Sequence, residues 1–126
     1  MNCPKCRAAM AKVAFEGVEV DRCTLCDGIW FDALEKEQLR DTPRAAEAID
    51  VGQTPADASS DKRHLLCPVC KTLMIPMTVH GGPPGLVYES CTVCFGAFLD
   101  AGEFRQYVHA GGLGLAATLK GLIGLA

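Results

Sequence analysis

Apolar and polar positions alternate along two short stretches of the chain, Lys12-Val13-Ala14-Phe15 and Val18-Glu19-Val20-Asp21, separated by Glu16-Gly17. Period-two alternation on either side of a turn signal predicts a β-hairpin with one face half exposed. Met77-Thr78-Val79 and Leu86-Val87-Tyr88 form a second such pair. The run His80-Gly81-Gly82-Pro83-Pro84-Gly85 divides them and predicts a longer hairpin loop. Each pair leads into a short apolar stretch, Gly28-Ile29-Trp30-Phe31 or Gly96-Ala97-Phe98-Leu99. Asp32-Ala33-Leu34-Glu35 and Asp100-Ala101-Gly102-Glu103 follow, each an Asp with a Glu three residues on. In a capping box the Asp side chain accepts from an orphan backbone N–H while the Glu reaches back. Short helices are therefore expected over 33–40 and 101–109, stopped by Thr42-Pro43 and by Gly111-Gly112. Trp30 and Phe98 are expected to pack each unit's second cysteine turn against its helix.

The pattern repeats because the chain does. An offset of 64 residues carries Cys3-Pro4-Lys5-Cys6 onto Cys67-Pro68-Val69-Cys70, and Met10 onto Met74. An offset of 68 carries Cys23-Thr24-Leu25-Cys26 onto Cys91-Thr92-Val93-Cys94, Gly28 onto Gly96, Trp30 onto Phe98 and Glu35 onto Glu103. The reading is duplication of one unit: 1–40 and 64–110, with a linker over 41–63 and an apolar tail over 111–126. The linker is rich in Ala, Asp, Ser, Thr and Pro, with one helical turn expected at Arg44–Ile49. It leaves the orientation of the two units open.

All eight cysteines fall in Cys-x-x-Cys pairs, and each unit spaces two pairs as C-x2-C-x16-C-x2-C or C-x2-C-x20-C-x2-C. A Cys-x-x-Cys turn presents two sulfurs to one metal, and two turns on one hairpin complete a tetrahedron. Cys3, Cys6, Cys23 and Cys26 are the candidate ligands of one ion, and Cys67, Cys70, Cys91 and Cys94 of a second. Two zinc ions are expected. Iron fits the same tetrahedral thiolate geometry and would make an electron carrier, but nothing in the chain suggests a redox partner site. A dithiol redox role needs one pair on a βαβ scaffold, not four pairs on hairpins. Four thiolates close the coordination sphere and leave no place for water, so an enzyme is not expected. His64, His80 and His109 are read as surface or helix-end residues, and the Asp/Glu pairs as helix caps.

Units near 40 residues bury too little apolar surface to fold alone, so the metal substitutes for a core. That gives the fold class: a small, metal-dominated α+β protein of tandem ribbons, each a hairpin with two cysteine knuckles followed by a short helix. The net charge is −3, and two zinc ions on eight thiolates would take it to about −7. Residues 1–40 carry six Lys/Arg against seven Asp/Glu, and residues 64–110 two against three, so no basic stripe exists for a phosphate backbone. No run approaches eighteen apolar residues and no export signal opens the chain, which together with reduced cysteines fits the cytoplasm.

The run Gly17-Val18-Glu19-Val20-Asp21-x-Cys23-x-x-Cys26-x-Gly28-Ile29-Trp30-Phe31-Asp32-x-x-Glu35, preceded by Cys3-Pro4-x-Cys6, resembles the zinc-ribbon family named for transcription factor IIB, which includes many small bacterial proteins. The second copy departs from it with Phe95, Ala97 and Phe98 in place of Asp27, Ile29 and Trp30. The resemblance implies a ribbon fold, zinc on the eight cysteines and a link to transcription. The expected role is a protein-interaction adaptor with an unidentified protein partner; a nucleic-acid-binding transcription factor is the alternative. In the tail, Leu115, Leu119, Leu122, Ile123 and Ala126 share one helical face. Self-association or packing on its own ribbon is expected of it.

Overall fold

In the computed structural model, residues 1–53, 65–79 and 86–109 are described. The expected loop over 80–85, the second part of the linker from residue 54, the tail, His64 and His80 lie outside them. Strands β1 (Met10–Phe15) and β2 (Val18–Cys23) form the first hairpin, in register from Phe15↔Val18 to Met10↔Cys23. Its two turn residues both take positive φ, Glu16 at 51° and Gly17 at 80°, as the tight turn matching strand twist requires. Strand β3 (Ile29–Phe31) follows, then α1 (Glu35–Arg40) and α2 (Ala45–Ile49). The second unit supplies β4 (Ile75–Thr78), β5 (Val87–Ser90), β6 (Ala97–Leu99) and a helix, α3, over 103–109.

The six strands make one antiparallel sheet in the order β1-β2-β3-β6-β5-β4. The order reads the same from either edge once the units are exchanged, so a pseudo-twofold axis passes between β3 and β6. Trp30 is paired with Phe98 there, flanked by Ile29↔Leu99 and Phe31↔Ala97. Every residue of β3 and β6 is buried because both faces of the sheet are covered at its centre. The orientation that the linker left open is set by this strand pair.

One face carries the helices. Phe31 packs on Phe104 with ring centroids 4.8 Å apart, and Leu39, Ile49 and Leu99 are fully enclosed with them. Helix α1 also reaches across the axis: Lys36 lies over the rings of Tyr88 and Tyr107, at 5.2 and 5.9 Å from their centroids. The opposite face carries the cysteines, which cluster with Trp30, Phe98 and Met74.

Both helices begin two residues later than the sequence suggested. At position 34 the backbone is left-handed, with φ at 71°, and its counterpart Gly102 has φ at 82°. The glutamates do reach back, Glu35 Oε1 accepting from the Asp32 N–H and Glu103 Oε1 from the Asp100 N–H, each at 2.9 Å. Helix α1 has no side-chain cap, so Asp32 does not play that part. Asp32 accepts instead from the Trp30 indole N–H at 3.1 Å, and Asp100 accepts from Lys5 of the other unit at 3.0 Å. Leu34 is exposed, so its side chain contributes little to offset its left-handed conformation. Leu34→Gly should raise stability by up to about 1 kcal/mol, read as a higher denaturation midpoint.

Residues 41–53, which composition marks as linker, are built into the core. Helix α2 buries Ala45, Ala46 and Ile49, and the Arg22 guanidinium donates to the Ile49 carbonyl at 2.9 Å. Asp50, fully enclosed, then crosses to the second unit. Its Oδ1 accepts from the Gly102 N–H at 2.8 Å and its Oδ2 from the Arg105 N–H at 2.9 Å, so it caps α3 from outside that unit. Burial pushes the Asp50 carboxyl above the usual carboxylate range, against these two bonds and nearby Arg105. Asp50→Ala strands one buried and one half-buried donor and should lower unfolding free energy by about 2–3 kcal/mol in urea melts. Glu47→Ala, at an exposed position of α2, should change it little.

Candidate metal centres

Four cysteine turns share one backbone pattern. In each, the first cysteine's N–H donates to the carbonyl five residues on: Cys3 to Ala8, Cys23 to Gly28, Cys67 to Thr72 and Cys91 to Gly96, at 2.7–2.9 Å. Its own carbonyl accepts from the residue four on, namely Arg7, Asp27, Lys71 or Phe95. Those four all have positive φ, between 62° and 71°, which folds each turn back beneath its sulfurs. The N–H groups inside the turns then point at sulfur. Leu25 and Cys26 donate to Cys23 Sγ, Val69 and Cys70 to Cys67 Sγ, and Val93 and Cys94 to Cys91 Sγ, all at 3.3–3.4 Å. Such bonds stabilise the thiolate, the form that binds metal.

The hairpins bring these turns together in pairs. Cys3, Cys6, Cys23 and Cys26 make one group and Cys67, Cys70, Cys91 and Cys94 the other, with all sulfurs of a group within 4.8 Å of one another. None is in a disulfide. The Cys3–Cys26 sulfurs are 3.8 Å apart, Cys67–Cys94 3.7 Å and Cys6–Cys23 3.3 Å. A tetrahedral ion with bonds of about 2.3 Å sets its ligand sulfurs about 3.8 Å apart, so each group is sized for one metal. The donor set, four soft thiolates, suits zinc or iron.

Proton affinities within each group are uneven. The hydrogen bond with Cys26 draws Cys3 down to about 5, and the same bond, followed by burial, pushes Cys26 far up. Burial raises Cys91 too but is outweighed by the Thr72 hydroxyl, 3.5 Å from its sulfur, and by the turn N–H groups, leaving it at about 6. Burial lifts Cys94 to about 12. Four touching sulfurs cannot all ionise without a cation among them, and a divalent ion supplies that charge.

Each centre is held shut by the other unit. A Cβ placed on Gly96 would sit 2.2 Å from Trp30 Cζ2, and one on Gly28 would sit 2.4 Å from Phe98 Cζ. Gly28 and Gly96 each follow a second cysteine turn by two residues, so each aromatic lies over its neighbour's turn. This corrects the expectation that Trp30 and Phe98 pack their own turn against their own helix. Lys5, in the first turn of unit one, adds an ion pair to Asp100 of unit two, with both side chains largely enclosed. The packing around each centre therefore draws on side chains from both units.

Of the histidines, His109 is described, and it is exposed at the end of the 103–109 range, away from the cysteine groups. Asp50, Thr72 and the two glycines are the contributors that sequence reading missed. A glycine two residues beyond a cysteine pair, with an aromatic two further on in both copies, was the available signal.

Residues 2–42 match a family model, the zinc ribbon of transcription factor IIB, described as a transcription factor zinc-finger. The first unit is similar to the zinc ribbon of that family. The match ends before the second unit, which repeats the same turns, hairpin and four-sulfur group. Together they form a small, metal-rich α+β fold. No curated protein and no solved structure matched the chain. Among the described residues, no helix is long and apolar enough to cross a membrane.

Proposed function

We propose that the protein is a non-catalytic zinc adaptor of the cytoplasm, which carries one zinc ion per ribbon and offers its cysteine turns to a protein partner. The observation that carries this reading is the pairing of rigidity with exposure at the turn tips. Leu25, Val69 and Val93 occupy the same place in three of the four turns, the backbone N–H of each fixed to a sulfur. Their side chains face solvent, Leu25 at 72 % exposure. Apolar anchors whose backbone is already ordered lose little entropy on binding, which favours a contact role. A four-thiolate ion has no open coordination position, which argues against hydrolysis at the metal. The matched family's description motivates the transcription machinery as the partner class.

The test compares affinity capture by the intact zinc protein with capture by the double variant Leu25→Asp/Val93→Asp. Two metals per chain and unchanged melting should accompany loss of the captured partner in the variant. Capture that survives the double change, or a salt-dependent shift of a DNA probe by wild type, would contradict the adaptor reading. Metal analysis closes the iron alternative if it returns two zinc per chain in colourless protein.

A further inference from the structure

The first cysteine turns of the two units, Cys3–Cys6 and Cys67–Cys70, border a groove of about 400 Å³. Equivalent positions line it from both units, Pro4 with Pro68 and Arg7 with Lys71, so the pseudo-twofold axis runs through it. No Asp or Glu is among the lining residues, in a chain whose net charge is −3. Lys5, Arg7 and Lys71 all line it. Lys5 is engaged in the ion pair with Asp100 that joins the units. Arg7 and Lys71 are exposed, and among the described residues neither meets a carboxylate. The Lys71 ammonium donates instead to the Pro68 carbonyl at 3.0 Å, which holds it at the groove wall.

The repeat itself singles out these two charges. Arg7, Asp27, Lys71 and Phe95 hold the same place in the four cysteine turns, all with left-handed backbone. The turn needs only that conformation, which Gly or Asn adopts at lower cost. Yet the two positions that line the groove are both basic, and the two that do not are Asp27 and Phe95. Turn geometry does not explain the difference. The walls add a second restriction. Leu65 and Leu66 offer apolar surface beside Pro4 and Pro68, and the prolines have no N–H to give an anion. A bare phosphate would meet two cationic heads and no backbone donor from either proline. A carboxylate flanked by an aliphatic side chain satisfies the cations and the walls together, and the planar fork of Arg7 suits it.

We propose that this groove docks an acidic, leucine-containing peptide segment of a partner protein, with carboxylates on Arg7 and Lys71 and an aliphatic side chain against Leu65 and Leu66. The site goes beyond the adaptor reading, which rests on the turn tips; Leu25 and Val93 do not line it. The cations have one other available use. A zinc ion on four thiolates leaves an excess of about two negative charges, and Cys3 and Cys67 lie beside the groove. Were Arg7 and Lys71 there to offset that charge, removing them would weaken zinc binding rather than peptide binding.

The experiment reads fluorescence anisotropy and amide shifts of the full zinc-loaded chain with a short labelled peptide alternating Glu and Leu. A Lys-for-Glu peptide and an oligouridylate are the comparison probes. Saturable binding of the acidic peptide, weakening as salt rises and shifting amides over 2–7 and 65–71, is expected. Arg7→Asn/Lys71→Asn should weaken it at least tenfold with two metals per chain and unchanged melting, since Asn tolerates the left-handed backbone. The charge-preserving exchange Arg7→Lys/Lys71→Arg should retain binding. Leu25→Asp/Val93→Asp should retain it too, which separates this site from the turn tips. No binding to wild type at low salt, unchanged affinity in the Asn variant, or tighter binding of either comparison probe would overturn the proposal. Loss of metal by the Asn variant would assign the cations to the thiolate centres and overturn it equally.

Discussion

Cys23→Ser is expected to unfold both halves of the molecule, although it touches a ligand of one ion. Cys23 ends β2 and is buried at the centre of the first sulfur group. A structural zinc ion contributes on the order of 10–16 kcal/mol to modules of this kind. Whole domains have net stabilities of only about 5–15 kcal/mol, so a crippled site removes more than the first unit can lose. The damage then crosses the axis. Without β3, strand β6 becomes an edge, Phe98 loses its cross-strand partner Trp30, and the fully enclosed Asp50 no longer caps α3. Amide spectra should collapse to unfolded dispersion over 67–109 as well as over 3–40, and bound metal should fall below one per chain. Two units joined by an inert spacer would behave differently, the second keeping a dispersed spectrum and its own ion.

Trp30→Ala should cost about 3–5 kcal/mol, the range for deleting a large aromatic from a packed core. Trp30 is fully enclosed, and the atoms lost are those lying over Gly96, so the void opens in the second unit. Hydrogen exchange should therefore quicken at Cys94–Gly96 as strongly as at Gly28–Phe31. Trp30→Phe should cost much less, because Phe98 already fills the symmetric position over Gly28. Gly96→Ala approaches the same contact from the other side. Its added methyl meets a flat ring beside the Phe31 carbonyl, 3.0 Å away, and overpacking of that sort costs about 1–3 kcal/mol or more. Denaturant midpoints for the three variants should rank Trp30→Phe as most stable. Exchange confined to the first unit in Trp30→Ala would contradict the interlock.

The cysteine spacing and the internal repeat were enough to read two hairpins, two four-sulfur groups and a helix after each. These features are local, or repeat at a fixed offset, and local chemistry determines them. Glu35 and Glu103 were recognisable for the same reason, since a side chain reaching back three residues needs nothing from elsewhere. The partners of Asp32 and Asp100 were not recognisable: an indole donor takes the first in place of a cap, and Lys5 of the facing unit reaches the second. Pairing of β3 with β6 was hidden because it joins distant residues, Trp30 with Phe98 at its centre, while neither three-residue strand shows alternation. Ile29-Trp30-Phe31 and Ala97-Phe98-Leu99 are apolar throughout, which is what a strand covered on both faces requires. Asp50 was hidden by its neighbourhood, a polar stretch whose composition suggests solvent even though the carboxylate is fully enclosed.

The central claim is that two ribbons form one cooperative body in which each closes the other's metal centre. Titrating zinc into metal-free protein under native mass spectrometry tests it most directly. At one equivalent, cooperative filling predicts mainly the empty and two-zinc species, with the one-zinc species well below its statistical share. A dominant one-zinc species at that point, with one ribbon folded and the other not, would contradict it.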